Sequence, residues 1–156
     1  MAKITIYTDG SSRGNPGPGG YGIVLISGEH RKEVSCGFRL TTNNRMELLA
    51  VLAALEMIKP GDHDITVYTD SRYVVDAVEK GWVFDWEKKG FAKKKNPDLW
   101  ARFLRIYRRL KVRFVWVRGH SDNRENCRCD FLATEASKGV CLEADVFFEN
   151  NKDAEQ

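Results

Sequence analysis

Three alternating runs near the N-terminus, joined by short connectors, constrain the fold of this chain more than any other feature. Lys3 to Asp9 puts Ile4, Ile6 and Thr8 on one face and Thr5, Tyr7 and Asp9 on the other, the period of a strand. Gly10 to Gly22 carries six of the thirteen glycines and two of the four prolines, and reads as a tight loop entering a second strand, Tyr21 to Ser27. Gly28-Glu29-His30 is a hairpin turn, and Lys32 to Thr41 a third strand. Parallel neighbours need a long crossover, so these three strands are expected to run antiparallel.

The pattern then changes. Thr42-Asn43-Asn44 supplies capping side chains. Met46 to Ile58 favours helix, with Leu48, Leu49, Leu52, Leu55 and Ile58 on its apolar face, and Pro60-Gly61 ends it. Asp64 to Asp70 reads as a fourth strand, and the preceding helix allows it to lie parallel to the first. Ser71 caps a short helix through Val78, Gly81 breaks it, and Trp82 to Glu87 adds a helical turn or two. Asn96-Pro97-Asp98 opens a helix over 97–111: a cap residue, proline at the first position and an acid in the first turn. Val112 to Val117 is a fifth strand and Glu125 to Ser137 a last helix. The order βββαβααβα, with an extra short helix, predicts an α/β fold around one five-stranded mixed sheet. One domain is expected over 1–139. The acidic tail, 140–156, is expected to be loosely ordered or laid over the body.

Hydrophobic residues make up 42% and charged residues 30%, the composition of a folded globular chain. No apolar run reaches the roughly 18 residues of a membrane span, and the N-terminus lacks a signal-peptide core, so a cytoplasmic protein is expected. The net charge of +3 conceals a strong asymmetry. Residues 80–118 hold 13 Lys and Arg against 3 Asp and Glu, whereas 1–79 hold 8 against 10 and 119–156 hold 4 against 9. The basic third is either a polyanion-binding face or a solvated helix face. Cys36, Cys127, Cys129 and Cys141 match no four-ligand zinc spacing, and Cys127 and Cys129 form a lone C-x-C.

The acids raise the sharper question. Asp9 and Asp70 each end an apolar strand, and if those strands are parallel neighbours both carboxylates emerge at one edge of the sheet, where ligand sites cluster. Two carboxylates so close favour a cation between them. Glu47, placed in the first turn of its helix, and Asp130 in the last helix complete an oxygen donor set for hard cations, and two such metals suit phosphodiester cleavage. Each acid alone also fits a cap, a turn or a helix dipole, and spacing does not establish that the four converge.

Six separated motifs occur in a fixed order. They are Thr8-Asp9-Gly10-Ser11, the loop Gly14-Asn15-Pro16-Gly17-Pro18-Gly19-Gly20, and Thr41-Thr42-Asn43-Asn44-Arg45-Met46-Glu47-Leu48. Thr69-Asp70-Ser71, Val117-Arg118-Gly119-His120 and Asn126-Cys127-Arg128-Cys129-Asp130 follow. Over about residues 3–138 the chain resembles the cellular ribonuclease H type 1 family in its bacterial form. The resemblance implies a ribonuclease H-like fold and hydrolysis of the RNA strand of RNA·DNA hybrids, leaving a 3′-hydroxyl and a 5′-phosphate. It implies that Asp9, Glu47, Asp70 and Asp130 bind two Mg²⁺ (or Mn²⁺) and that His120 shuttles a proton or assists product release.

The same resemblance assigns substrate contacts. Ser12, Asn15, Asn43 and Asn44 correspond to residues that read the hybrid's minor groove. Arg72 departs from the pattern, since many members carry Gln there; an arginine only donates, so its contact is a phosphate or a 2′-oxygen. Residues 80–96 resemble the basic handle that grips the DNA strand, with Trp82, Trp86 and Phe91 interleaved among Lys88, Lys89, Lys93, Lys94 and Lys95, and with Thr42 as a phosphate ligand. A monomer with no obligate protein partner is expected. The competing readings are a 3′–5′ exonuclease, an integrase-like transferase, a non-catalytic hybrid-binding module and a domain of a polymerase. Against the first, Asp9-Gly10-Ser11 offers no second acid; against the module, all four carboxylates are present; against the last, 156 residues from a Met start leave no room for a polymerase.

Overall fold

A computed structural model describes residues 2–119 and 123–151. Five strands, β1 (Ala2–Ser12), β2 (Gly17–Ser27), β3 (His30–Thr41), β4 (His63–Thr69) and β5 (Val112–Trp116), form one sheet in the order β3-β2-β1-β4-β5. The first three are antiparallel neighbours; β4 lies parallel to β1, and β5 parallel to β4. The helices are α1 (Asn43–Glu56), α2 (Arg72–Glu79), α3 (Trp82–Lys88), α4 (Pro97–Tyr107), α5 (Arg124–Ser137) and α6 (Val146–Asn151).

Alternation in β1 buries Ile4, Ile6 and Thr8 on one face. There Ile4 and Ile6 join Ile23, Ile65, Val67 and Phe114 from the other strands, with Leu48, Val51 and Leu52 of α1 and Trp100 and Phe103 of α4 closing the core. The opposite face is covered by α5, which packs on β2, β1 and β3.

The glycine-rich stretch departs from its reading as a loop. Strand β2 begins at Gly17, and Gly19 and Gly20 pair with Ser12 and Ser11. The reason lies across the sheet. A Cβ on Gly20 or Gly22 would overlap backbone atoms of Ala133 or Cys129, and one on Gly37 would overlap Ala136. These glycines are strand residues stripped of side chains so that α5 can lie against the backbone. Gly10 does the same toward α1, where a Cβ would collide with Met46 and Glu47.

Helix α1 starts three residues earlier than its apolar pattern suggests. Thr42 is the cap, its hydroxyl accepting from Arg45 N at 3.3 Å, so Asn43 and Asn44 form the first turn and Glu47 falls in the second. Helix α4 stops at Tyr107, short of 111. Residues 143–151 of the tail are in contact with the sheet or in a helix. Glu143 bridges to Phe38, α6 follows, and Phe148 is buried.

The α5 contact gives a test of the sheet. Gly22→Ala forces a methyl into the helix backbone and is expected to cost about 2–3 kcal/mol in urea unfolding, as overpacking does. A loss below about 0.5 kcal/mol would contradict the close packing.

Candidate active site

The parallel pairing of β1 and β4 sets the site. Register pairs Tyr7 with Tyr68, so Asp9 and Asp70 stand two residues further on, side by side at the carboxyl edge of β4. Asp9 does not end its strand, because β1 continues to Ser12, whereas Asp70 directly follows the last residue of β4. Gly10 lets the second turn of α1 press onto the strand, which carries Glu47 to the pair. Oxygens of Asp9, Glu47 and Asp70 lie within 4.8 Å of one another. Asp130 approaches Asp9 from α5. All four line one cavity of about 260 Å³, with Asn43 at its rim.

This crowding has an electrostatic consequence. Burial, then the charge of Asp70 and the proximity of Asp130, hold Asp9 far above the ordinary carboxylate range. Burial also raises Glu47 to about 7; a hydrogen bond from Ser71 works against the rise and the Asp70 charge adds to it. Carboxylate oxygens face each other at the centre, which fits a hard divalent cation, whose charge offsets the repulsion. Cys127 lines the same cavity, while Cys129 faces the sheet, where its thiol donates to Tyr7 O at 3.2 Å and burial pushes its pKa to about 12. The two cysteines therefore make no common metal site.

Beside the cavity, the carbonyl oxygen of the Asn43 side chain accepts from Ser12 N at 2.6 Å and Ser12 Oγ at 3.1 Å. The Asn15 side chain accepts from Asn43 N at 3.1 Å. Ser12, Asn15 and Asn43 thus form one patch, with exposed Asn44 next along α1. A separate groove collects Arg72, Tyr73, Trp82, Trp86, Lys93, Lys94 and Lys95. Lys94 lies over Trp86 and Lys80 over Trp82, at 5.1 and 5.0 Å from the ring centroids. Lys88 closes α3, Lys89 caps it, and Phe91 packs on the core beside Trp86. His120 lies outside the described residues.

Ser11, Arg118, Gly119 and Asn126 also line the cavity, although sequence reasoning gave them no role. Their adjacency to Asp9, His120 and Asp130 within the motifs was the available signal. Trp116 was missed too. Its indole N–H donates to Asp70 O at 3.1 Å, and the Arg72 guanidinium stacks on its ring at 4.0 Å. Nothing in the strand pattern marks that contact.

A family model described as RNase H matches residues 1–138. The ribonuclease H of Syntrophus aciditrophicus is 53% identical over 148 residues, covering 92% of this chain and 85% of that one. The ribonuclease HI of Synechocystis sp. is 47% identical over 140 residues, with 86% and 87% covered. Among solved structures, LC9-RNase H1, a type 1 RNase H with the type 2 active-site motif, superposes with a TM-score of 0.80 at 31% identity, over 89% of this chain and 74% of that chain. LC11-RNase H1 in complex with an RNA/DNA hybrid superposes with a TM-score of 0.63 at 30% identity, over 86% and 96%.

The raised carboxylates predict how stability responds to pH without metal. Both groups hold their protons more tightly when folded, so between about pH 4 and neutrality their contribution to stability falls as pH rises. Asp9→Asn removes a carboxyl whose ionisation the folded site disfavours and is expected to stabilise the metal-free protein by about 1–3 kcal/mol at pH 8, and by less at pH 5. Calorimetry in EDTA reads this; an equal or lower melting temperature at pH 8 would contradict it.

Proposed function

The chain belongs to the RNase H family, and on that premise we propose that it hydrolyses the RNA strand of RNA·DNA hybrids, with two Mg²⁺ as cofactors and Mn²⁺ as a substitute. The products are a 3′-hydroxyl and a 5′-phosphate. The observation that carries this reading is the mutual approach of Asp9, Glu47 and Asp70 within 4.8 Å, in a cavity shared with Asp130. Asp9, Glu47, Asp70 and Asp130 would hold the divalent cations, which would supply Lewis-acid activation of water and compensation of negative charge there.

The chain's own residues supply the rest. Asp9, Glu47, Asp70 and Asp130 come from β1, α1, the end of β4 and α5, so the donor set is fixed by the packing of both helices on the sheet. Asn43 has its side-chain oxygen engaged by Ser12, which leaves its amide N–H groups to donate toward substrate. Amide and hydroxyl groups on a rigid turn suit the 2′-hydroxyls that distinguish RNA from DNA. Ser12, Asn15, Asn43 and Asn44 take that role. His120 carries a proton or assists product release, as its imidazole chemistry allows near neutral pH.

The second groove takes the DNA strand. Its aromatic walls and three lysines suit a sugar-phosphate backbone. Lys88, Lys89 and Phe91 extend or support this handle. Thr42 binds phosphate through the hydroxyl hydrogen that its capping bond does not use. Trp116 steadies Arg72, whose contact is a phosphate or a 2′-oxygen. The LC11-RNase H1 complex with an RNA/DNA hybrid supports the substrate class. No helix among the described residues is long and apolar enough to cross a membrane, and we infer a cytoplasmic location.

Two outcomes test this assignment. Asp9→Asn or Asp70→Asn is expected to lower kcat by about 10³-fold or more while the hybrid Kd changes by less than about threefold, since the variant loses a charge that acts on the reaction and not on binding. Full activity in either variant would contradict the metal site. Replacing Lys93, Lys94 and Lys95 together with Ala is expected to weaken hybrid binding and to reduce the slope of log K against log salt by about 2–3, nearly one per phosphate contact. An unchanged slope would contradict the groove.

A further inference from the structure

Arg45 is 1% exposed, and it lies one residue after Asn44 and two before Glu47. A buried guanidinium needs all its donors met, and here they are. Nε donates to Asp145 Oδ2 at 2.7 Å, and Nη2 to Asp145 Oδ1 and Asp98 Oδ2, each at 2.8 Å. Nη1 donates to Asp98 Oδ1 at 2.9 Å and Asn96 Oδ1 at 3.2 Å. Asp145 also accepts from Thr41 Oγ1 at 2.7 Å, and the rings of Phe147 and Phe148 lie 5.5 and 6.0 Å from the guanidinium carbon.

The network reaches both substrate surfaces. Asn96, at the exit of the basic loop, donates to the Tyr73 hydroxyl at 3.0 Å, and Trp100 donates to the same oxygen at 2.8 Å. Tyr73 lines the cationic groove and adjoins Arg72. On the other side, Arg45 belongs to the helical turn that carries Asn43 and Asn44. The C-terminal segment therefore grips a buried side chain that joins the minor-groove turn to the handle exit.

We propose that Asp145 is a positioning residue for substrate, acting through Arg45 to hold the first turn of α1 and the exit of the basic loop in a fixed relation. Losing it leaves Nε and one N–H of Nη2 without an acceptor in a buried place. The guanidinium must then turn toward water or rotate about Asp98, and the turn bearing Asn43 and Asn44 moves with it. Asp98 and Asn96 still hold Nη1 and one N–H of Nη2, but the Nε edge of the fork then has none of its acceptors within the network. The acidic tail thereby acquires a role, since it sets the spacing between two surfaces that must meet the two strands of one duplex at once.

The inference rests on the hybrid-cleavage reading, and the test separates the two. Steady-state kinetics and fluorescence Kd values on a labelled RNA·DNA hybrid are measured for wild type, Asp145→Ala and the milder Asp145→Asn. Phe114→Leu, a core change in β5 that alters none of the network's hydrogen-bonding groups, is the control for lost stability. All are assayed well below each variant's melting temperature. The expected result for Asp145→Ala is a rise of about 10-fold in KM and Kd, the scale on which a small misplacement acts, with kcat within about twofold. Asp145→Asn shifts the same way by less, and Phe114→Leu leaves KM unchanged. KM and Kd at wild-type values in both Asp145 variants, or a loss confined to kcat, would overturn the proposal. If Asp145→Ala does not fold, the Asp145→Asn comparison decides it. A wild type that binds the hybrid without cleaving it contradicts the catalytic reading instead, and Kd alone still judges Asp145.

Discussion

Like charges held together are the constraint on which this structure turns. Asp9 and Asp70 are brought abreast by the parallel register of β1 and β4, and Glu47 is pressed against them because Gly10 carries no side chain. Burial and mutual repulsion raise the proton affinity of Asp9 and Glu47. A fold that keeps such a cluster forgoes stability there and must recover it elsewhere, in the core between the sheet and α1–α4 and in the close approach of α5. What the cluster gains is a preorganised site for positive charge, with the protein's reorganisation already done before substrate arrives.

The same economy explains the distribution of charge along the chain. A net of +3 describes a protein whose acids and bases are segregated by the work they do. Acids converge in the cavity. Lysines 93–95 and Arg72 gather with two tryptophans in a groove. Much of α4 and its surroundings is a solvated basic face whose arginines pair with scattered acids, as Arg102 does with Glu56 and Arg108 with Glu87; such exposed pairs contribute little. Arg45 is the exception, a buried cation whose three polar partners come from the handle exit and the tail.

Much of this was legible in the sequence. Alternation in Lys3–Asp9 and the short connectors predict the antiparallel β1–β3, and a helix before Asp64–Asp70 predicts the parallel β4. The observed adjacency of β1 and β4 then places Asp9 beside Asp70. What sequence could not show is contact at a distance. Gly17 to Gly20 reads as a loop because glycine is a poor strand former; the bare backbone at Gly20 is required by α5, more than a hundred residues later. Thr42, Asn43 and Asn44 are three capping types in a row, and local chemistry does not say which one caps. Asp145 meets Arg45 across 100 residues of sequence, so the tail reads as acidic and unpatterned until the fold closes on it. Arg72 on Trp116 and the indole bond to Asp70 are invisible for the same reason.

Whether this cavity is a hybrid-specific nuclease centre is decided by incubating four labelled substrates in parallel with Mg²⁺: an RNA·DNA hybrid, duplex RNA, duplex DNA and single-stranded RNA. The expected result is cuts in the RNA strand of the hybrid alone, each leaving a 5′-phosphate and a 3′-hydroxyl, and no cuts when EDTA removes the metal. Cleavage of duplex DNA, or an intact hybrid, would contradict it.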